Sequence, residues 1–271
     1  MPELPEVQTV LDTLALNIKD KKIVDVQILY KPIVEVEEKT FKKKLINQSF
    51  REFKRRGKYL IFEMDDITLV SHLRMEGKYF ILDESVPLSK HDHVIFTLDD
   101  GKQLRYNDVR KFGRMELMEK GDYKDFHNLG PEPFSDDFNV EYCKQYLKNK
   151  KLPIKQVLLD QSFVAGIGNI YADEILFAIK VNPERLANRL SSEEMKALIK
   201  QTRRILNGAI KAGGTTIRSY TSFLGVTGRF QLKLKVHTKA VCPICNGPID
   251  KITVGGRGTY YCKECQKWKL R

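Results

Sequence analysis

The stretch HVIFTLDDGKQLRYND at residues 93–108 contains two short runs in which apolar and polar residues largely alternate, HVIFTL and QLRYND. Asp100-Gly101 lies between the runs, and an Asp-Gly pair is a residue combination that tight β-turns prefer. Alternation with a period of two places the apolar side chains on one face of a strand. The stretch therefore predicts an antiparallel hairpin.

Runs with the same period occur on the N-terminal side of the hairpin. They include IVDVQILY (23–30), KYLIFEM (58–64) and ITLVSHL (67–73), and the pattern continues to about residue 119. Several short strands with little helix between them are typical of a β-sandwich or barrel. Apolar residues recur at helical spacing in the first eighteen residues, which predicts an amphipathic helix before the strands.

The pattern becomes helical after LGPEPFSDDF (129–138), a proline-rich acidic stretch that is typical of a linker. Ser191 and Glu194 have the spacing of a capping box, and Gly213-Gly214 is a suitable helix end. The predicted helices cover about 139–149, 154–160, 169–179 and 191–212, with a short one near 215–219.

The net charge of +12, from 47 Lys and Arg against 35 Asp and Glu, lies in the C-terminal third. Residues 195–271 carry sixteen basic and two acidic side chains, which leaves −2 for residues 1–194. Such an excess indicates a polyanionic partner, nucleic acid or an anionic membrane surface, with a solvated basic face as the alternative. Since no apolar run approaches the ~18 residues of a spanning helix and MPELPEV is unlike a signal peptide, we expect a cytoplasmic protein.

Four of the five cysteines form two CxxC pairs, Cys242-x2-Cys245 and Cys262-x2-Cys265, separated by sixteen residues. Four thiolates fill a tetrahedral Zn²⁺ shell and leave no open position, so this spacing predicts one structural Zn²⁺. An iron centre or metal-free thiols are the alternatives. Between the pairs, GGRG (255–258) predicts a hairpin tip that presents one arginine, a residue suited to DNA phosphates or a groove.

A series of motifs accompanies these features in a fixed order. The motifs are PELPEV after Met1, RRGKYL (55–60), SHLRMEGK (71–78), KHDH (90–93), DVRKFG (108–113), LGPEP (129–133), AGIGNIYADE (165–174) and GGTT (213–216). Over essentially the whole chain, the sequence resembles the bacterial formamidopyrimidine-DNA glycosylases. The related endonuclease VIII enzymes usually begin PEGPE. One departure is KLKVHTKAVC (233–242), which is shorter than the family's approach to the first cysteine and lacks its Tyr-Gly pair.

The resemblance implies an α+β multidomain fold. Residues 1–134 would form a catalytic β-sandwich domain with an N-terminal helix, 135–150 a linker and first helix, 151–232 a helix-two-turn-helix domain, and 233–271 a zinc-finger hairpin. It also implies a base-excision-repair DNA glycosylase and AP lyase that removes oxidised purines, 8-oxoguanine and formamidopyrimidines, from double-stranded DNA. The protein would act as a monomer in the bacterial cytoplasm, associated with the nucleoid. The alternatives are an endonuclease VIII-like glycosylase for oxidised pyrimidines and a non-catalytic lesion-binding protein on the same scaffold.

The chain terminus makes chemical sense on its own. Removal of Met1 would expose the secondary amine of Pro2, which has an ordinary pKa near ~8 and can form Schiff bases, and Glu3 beside it can move protons. The resemblance implies that Pro2 attacks the anomeric carbon and that β- and δ-elimination follow. It places Lys58 near the reacting phosphodiester and Arg257 at the 3′ phosphate. Without the resemblance, Lys58 would be read as a solvated strand residue.

An enzyme that cuts a glycosidic bond in duplex DNA must extrude the nucleotide and fill the vacated space. The resemblance assigns that insertion to Met75, Arg110 and Phe112, although Met75 or Phe112 alone would more often be a core residue. It assigns further DNA contacts to other side chains and a cover over the flipped base to 217–230. The further contacts are His72, His91, Lys151, Lys155 and Asn169.

Overall fold

A computed structural model of the chain describes residues 1–122, 128–215 and 229–267. The described residues belong to two compact units, 1–122 with 213–215, and 128–212 with 229–267. The short helix predicted near 215–219 and most of the loop predicted at 217–230 lie outside the described residues. The finer domain boundaries, after residues 134, 150 and 232, remain predictions.

The first unit contains helix α1 (Leu4–Ile18), helix α2 (Glu38–Leu45) and two antiparallel sheets. Its strands are β1 (Ile23–Ile28), β2 (Glu52–Arg56), β3 (Tyr59–Glu63), β4 (Ile67–His72), β5 (Lys78–Asp83), β6 (Asp92–Leu98), β7 (Lys102–Asn107) and β8 (Arg114–Glu119). The sheets have the strand orders β1-β6-β7-β5 and β2-β3-β4-β8. Strands β6 and β7 form the predicted hairpin, with Thr97 opposite Gln103 and Gly101 at φ +81°.

Both sheets and α1 contribute to one core, which confirms the predicted sandwich. Leu11 from α1, Phe62 from β3 and Phe96 from β6 all belong to this core and are essentially fully buried. A buried side chain of this kind stabilises the fold by about 1.5–3 kcal/mol through the apolar area removed from water. Helix α2 was not predicted, because only Phe41 and Leu45 of its eight residues are buried and the pattern is too short to show a period.

The second unit is helical and ends in a two-stranded hairpin. Its elements are α3 (Val140–Leu147), α4 (Ile154–Leu159), α5 (Asn169–Ala178), α6 (Ser192–Lys211), β9 (Asp250–Val254) and β10 (Arg257–Tyr261). The predicted helices agree with these bounds to within two residues. The capping box is present, since the Glu194 N–H donates to Ser191 Oγ at 3.2 Å and the Ser191 N–H donates to Glu194 Oε2 at 2.8 Å.

The stretch 129–138 is anchored to the helical unit. The guanidinium of Arg203, on α6, donates to the carbonyls of Pro133 at 2.9 Å, Ser135 at 2.7 Å and Phe138 at 3.2 Å. The Phe138 side chain is fully buried. The proline-rich stretch is therefore anchored by α6, a helix that begins more than fifty residues later in the chain. Among the described residues, no helix has the length and apolar character needed to cross a membrane.

Candidate active site and nucleic-acid interface

The start of the chain is fixed in the first unit. Pro2 and Glu3 are buried, and the Glu3 N–H donates to Glu6 Oε2 at 2.9 Å. The other oxygen, Glu6 Oε1, accepts hydrogen bonds from the Thr215 N–H at 2.8 Å and the Thr215 hydroxyl at 3.0 Å. Sequence reasoning missed Glu6, although its position three residues after Glu3 is the spacing of a capping box. These bonds keep the terminus from fraying.

The terminal amine has a perturbed titration. Met1 is present in the structure, and burial lowers the pKa of its α-amino group below the ordinary value of 8.0. The charge of Lys58 lowers this pKa further, while the carboxylates of Glu3, Glu6 and Glu76 raise it. The lowered pKa increases the neutral fraction of this amine, which lies among groups of both charges. With Met1 attached, the Pro2 nitrogen is an amide, so its nucleophilicity depends on removal of Met1.

Lys58 lies in the turn between β2 and β3 and is only 5% exposed. Gly57 before it has φ +56°, a left-handed conformation that glycine adopts without strain. Arg55 ties this turn to α1, because its guanidinium donates to the Gly57 carbonyl at 2.8 Å and to Gln8 Oε1 at 3.0 Å. Burial excludes the alternative of a solvated strand residue for Lys58.

Two turns carry the residues predicted to enter the DNA stack. Met75 is half-buried, whereas Phe112 is 47% exposed. Arg110 is exposed and its guanidinium lies 4.7 Å from the centroid of the Phe112 ring. The structure brings Arg110 and Phe112 together in one turn, and both side chains are accessible to a ligand. An exposed phenylalanine beside an arginine is the combination that an apolar wedge with a polar partner requires.

Asp108 shapes the second of these turns. Its fully buried carboxylate accepts hydrogen bonds from the N–H groups of Arg110, Phe112 and Gly113, each at 2.9 Å. Sequence reasoning did not single out Asp108. The signal was an aspartate at the start of a turn, where its side chain bonds the backbone a few residues further on.

The two histidines assigned to DNA border the same turns. His72, at the end of β4, is buried, and its Nδ1 accepts from the Arg74 N–H at 2.9 Å. His91 is half-buried, and its carbonyl accepts from the Asp108 N–H at 3.0 Å. Their roles as DNA contacts remain predictions.

In the second unit, Asn169 at the start of α5 connects the helices to the hairpin tip. Asn169 Nδ2 donates to the Gly258 carbonyl at 2.8 Å, next to the exposed Arg257. Lys155 is fully buried, where its ammonium donates to the Asn169 carbonyl at 3.1 Å and pairs with the Asp173 carboxylate. The structure thus groups Lys155, Asn169 and Arg257, while Lys151 is an exposed residue before α4.

The unusual segment before the finger is anchored by two adjacent acids of α5. The Glu174 carboxylate accepts from the N–H groups of Lys235, Val236 and His237 at 2.8–2.9 Å. Asp173 Oδ2 lies 2.7 Å from His237 Nδ1. Sequence reasoning missed both acids. Because three consecutive backbone donors bond one carboxylate, the shortened approach has a defined path into the finger.

The four cysteine sulfurs lie within 4.8 Å of one another. Cys242 Sγ is 3.8 Å from Cys265 Sγ, and Cys245 Sγ is 3.5 Å from Cys262 Sγ. A tetrahedral shell with Zn–S bonds of about 2.3 Å has sulfur–sulfur edges of about 3.8 Å, so the geometry fits one structural Zn²⁺. The fifth cysteine, Cys143, lies in the core, where burial raises the pKa of its thiol to about 12 and makes it unreactive.

A β-sandwich with a buried chain start, joined to a helical unit whose zinc finger presents an exposed arginine, defines a DNA-binding zinc-finger protein. Three family models match successive parts of the chain. The formamidopyrimidine-DNA glycosylase N-terminal domain matches residues 1–115, the formamidopyrimidine-DNA glycosylase H2TH domain matches 129–221, and the zinc finger found in FPG and IleRS matches 241–267. The chain belongs to the formamidopyrimidine-DNA glycosylase family.

Individual relatives match over the full length. The formamidopyrimidine-DNA glycosylase of Ligilactobacillus salivarius is 47% identical, with 98% of this chain and 99% of the relative covered. Two solved structures of Lactococcus lactis FPG proteins are 41% identical and cover 98% of this chain and 100% of theirs. One is a variant in complex with Fapy-dG-containing DNA, at a TM-score of 0.94, and the other is a complex with abasic-site DNA, at 0.93.

Proposed function

We propose that this chain is a base-excision-repair DNA glycosylase and AP lyase that removes oxidised purines, including 8-oxoguanine and formamidopyrimidines, from double-stranded DNA. The observation that carries this proposal is the chain start of a family member, where Pro2, Glu3 and Lys58 are all buried and the Lys58 charge lowers the pKa of the Met1 amine. The Lactococcus lactis proteins that bind Fapy-dG and abasic-site DNA support the substrate class.

The nucleophile is the secondary amine of Pro2 after Met1 has been removed. The nitrogen forms a bond to C1′ of the damaged nucleotide while the glycosidic bond breaks, and the base leaves with the bonding electrons and takes up a proton. Loss of the amine proton and opening of the sugar, assisted by Glu3, give an iminium ion. β-Elimination then expels the 3′ phosphate, and δ-elimination expels the 5′ phosphate.

Two cations serve the elimination steps. Lys58 is held near the terminal amine, where it stabilises negative charge on the reacting phosphodiester. Arg257 is exposed at the finger tip and binds the 3′ phosphate through its planar fork. The Zn²⁺ supplies no chemistry to the reaction and keeps the hairpin folded.

The remaining residues serve extrusion of the damaged nucleotide and binding of the DNA backbone. Met75, Arg110 and Phe112 enter the space that the nucleotide vacates, with Arg110 bonding the orphaned base. Side chains of both units bind backbone phosphates; His72 among them is buried, and the others are exposed or half-buried. Lys155 was predicted as a DNA contact, but its ammonium is fully buried and donates to the Asn169 carbonyl, so it supports Asn169 instead. The proposed phosphate contacts are His72, His91, Lys151, Asn169 and Arg257. We further propose that the protein acts as a monomer. Because its substrate is chromosomal DNA, we place it in the cytoplasm, associated with the nucleoid.

Borohydride reduction tests the mechanism, since it converts an iminium ion into a stable covalent adduct. Protein with a processed N-terminus should be trapped on abasic-site DNA. An N-terminal extension, which makes the Pro2 nitrogen an amide, should abolish trapping, and Pro2→Gly, which leaves a primary amine, should reduce it. Unchanged trapping in either variant would overturn the mechanism. No adduct with the wild-type protein would favour a non-catalytic lesion-binding protein.

Matched oligonucleotides test the substrate. Each duplex carries one lesion at the same position, either 8-oxoguanine, a formamidopyrimidine or an oxidised pyrimidine. Faster excision of the purine lesions supports the proposal. Faster excision of the pyrimidine lesion would support the endonuclease VIII-like alternative.

A further inference from the structure

The two turns assigned to extrusion share one support in the first unit. Residues 73–77 carry Met75, and residues 108–113 carry Arg110 and Phe112. Tyr106, on β7, is fully buried, and its hydroxyl lies 3.4 Å from Asp108 Oδ2. Burial raises the pKa of this hydroxyl, so it stays protonated and can donate to the carboxylate. The same carboxylate bonds the backbone that positions Arg110 and Phe112.

The Tyr106 hydroxyl also touches a glycine in each turn. A Cβ on Gly113 would lie 1.6 Å from the hydroxyl oxygen and 2.6 Å from Cζ of the same ring. A Cβ on Gly77 would lie 2.3 Å from the same oxygen and 2.7 Å from the Leu73 carbonyl oxygen. Neither glycine has a positive φ, so space and not backbone conformation requires glycine there. The hydroxyl therefore packs between Gly77 of one turn and Gly113 of the other.

This arrangement connects residues that are separate in sequence. Gly77 follows Met75 by two residues, and Gly113 follows Phe112 directly. If the hydroxyl or either glycine changes, the turns can shift relative to each other while the sheets remain intact. A misplacement of about 1 Å at a reacting or positioning group can cost about 10²-fold in rate.

We propose that Tyr106 is a positioning residue that fixes the two turns relative to each other, so that Met75 enters the base stack together with Arg110 and Phe112. The role rests on the proposed function, because extrusion is the step it serves. Tyr106 acts through the two turns and has no assigned part in the chemistry at Pro2. A defect in Tyr106 should therefore slow reactions that require extrusion from a duplex and spare those on DNA that is already unpaired.

The first test compares Tyr106→Phe with Tyr79→Phe. Tyr79 is a buried neighbour with its ring centroid 5.2 Å from that of Tyr106, and its hydroxyl donates to Ser71 Oγ at 2.7 Å. Each variant loses one buried hydroxyl, but only Tyr106 contacts the turns through that atom. We expect Tyr106→Phe to slow single-turnover release of 8-oxoguanine from a duplex by about tenfold. It should also reduce the fluorescence change of 2-aminopurine placed beside the lesion.

Borohydride trapping on single-stranded abasic DNA separates positioning from general damage to the fold. A variant that only damages the fold should slow this reaction as well, whereas a positioning defect should leave it unchanged. Tyr106→Phe should match Tyr79→Phe in this trapping rate. Equal slowing of duplex and single-stranded reactions, or equal effects of both variants on the duplex, would overturn the positioning role. If the wild-type protein neither excises nor traps, the proposed function fails, and the 2-aminopurine signal alone then decides the role of Tyr106.

The second test changes Gly113, one of the two glycines that pack against the Tyr106 hydroxyl. Gly113→Ala should slow duplex excision by about 10²-fold because the turn must move. Gly208→Ala is the matched control, since its nearest neighbour would be 3.7 Å from the added carbon. All three atoms closest to a Gly113 Cβ belong to Tyr106. Gly113→Ala should therefore slow duplex excision less in a Tyr106→Leu background than in the wild-type protein. If Gly113→Ala slowed duplex excision equally in that background, the packing of the Tyr106 hydroxyl against Gly113 would not be the cause.

Discussion

The two units display their cations differently. In the first, Lys58 is buried beside the chain start, and several carboxylates oppose its effect on the terminal amine. In the second, Arg257 is exposed at a glycine-rich tip, within a segment that carries +14 between residues 195 and 271. A buried charge tunes the chemistry of its neighbours, whereas an exposed charge attracts a polyanion at long range. The comparison indicates that reactivity and DNA affinity can be changed separately.

Of the changes that separate DNA affinity from reactivity, zinc removal should have the largest effect on affinity. A structural Zn²⁺ contributes about 10–16 kcal/mol to the folding of a small finger, so chelation should unfold the hairpin. We expect duplex affinity to fall by more than about 100-fold, because the Arg257 contact is lost together with the Gly258 carbonyl that holds Asn169 in place. Circular dichroism should still detect the sandwich of the first unit. Retained affinity after complete metal loss, measured by atomic absorption, would contradict the role of the finger.

The finger-tip arginine should have the next largest effect. Arg257→Ala should weaken duplex binding by about tenfold and reduce the salt slope of the binding constant by about 0.9, the value for one phosphate contact. Lys43→Ala is the control, since it removes one exposed charge from α2 in the first unit. Fluorescence anisotropy across a salt series measures both. An identical slope change in the two variants would show that only net charge matters.

A cap variant changes the stability of the second unit without touching its charge pattern. Ser191→Ala removes the side chain that caps α6 and should lower the free energy of unfolding by about 1 kcal/mol. Trapping at saturating DNA should be unchanged. Urea denaturation supplies the first quantity. A loss of trapping with full stability would mean that the cap has a role in the reaction.

The smallest effect concerns pH. The Schiff base needs a neutral amine, so trapping should rise with pH through the pKa of the terminal nitrogen and then level off. Lys58 lowers and Glu76 raises the pKa of the Met1 amine, and we expect the same signs at the Pro2 amine that removal of Met1 exposes. In processed protein, Lys58→Met should therefore shift the trapping profile to higher pH, and Glu76→Gln should shift it to lower pH. Shifts in the same direction would exclude this electrostatic account.

Local patterns in the sequence were sufficient for much of the fold. The hairpin at 93–108, the four main helices and the zinc ligands follow from periodicity, turn residues and spacing. Long-range bonds were not predictable, because nothing local shows that Glu6 accepts from Thr215, which is 209 residues away. The burial of Lys58 and Lys155 was hidden for the same reason, since the partner of Lys155, Asp173, lies on another helix. The motifs indicated which residues matter, and the structure separated those that are exposed from those that support them.

The site of the covalent adduct tests the central claim most directly. Wild-type protein whose N-terminus has been defined by mass analysis is trapped on abasic DNA, digested and mapped by tandem mass spectrometry. The account predicts that Met1 is absent and that the sugar remnant is attached to the nitrogen of Pro2. An adduct on Lys58, or on any other lysine, would contradict it.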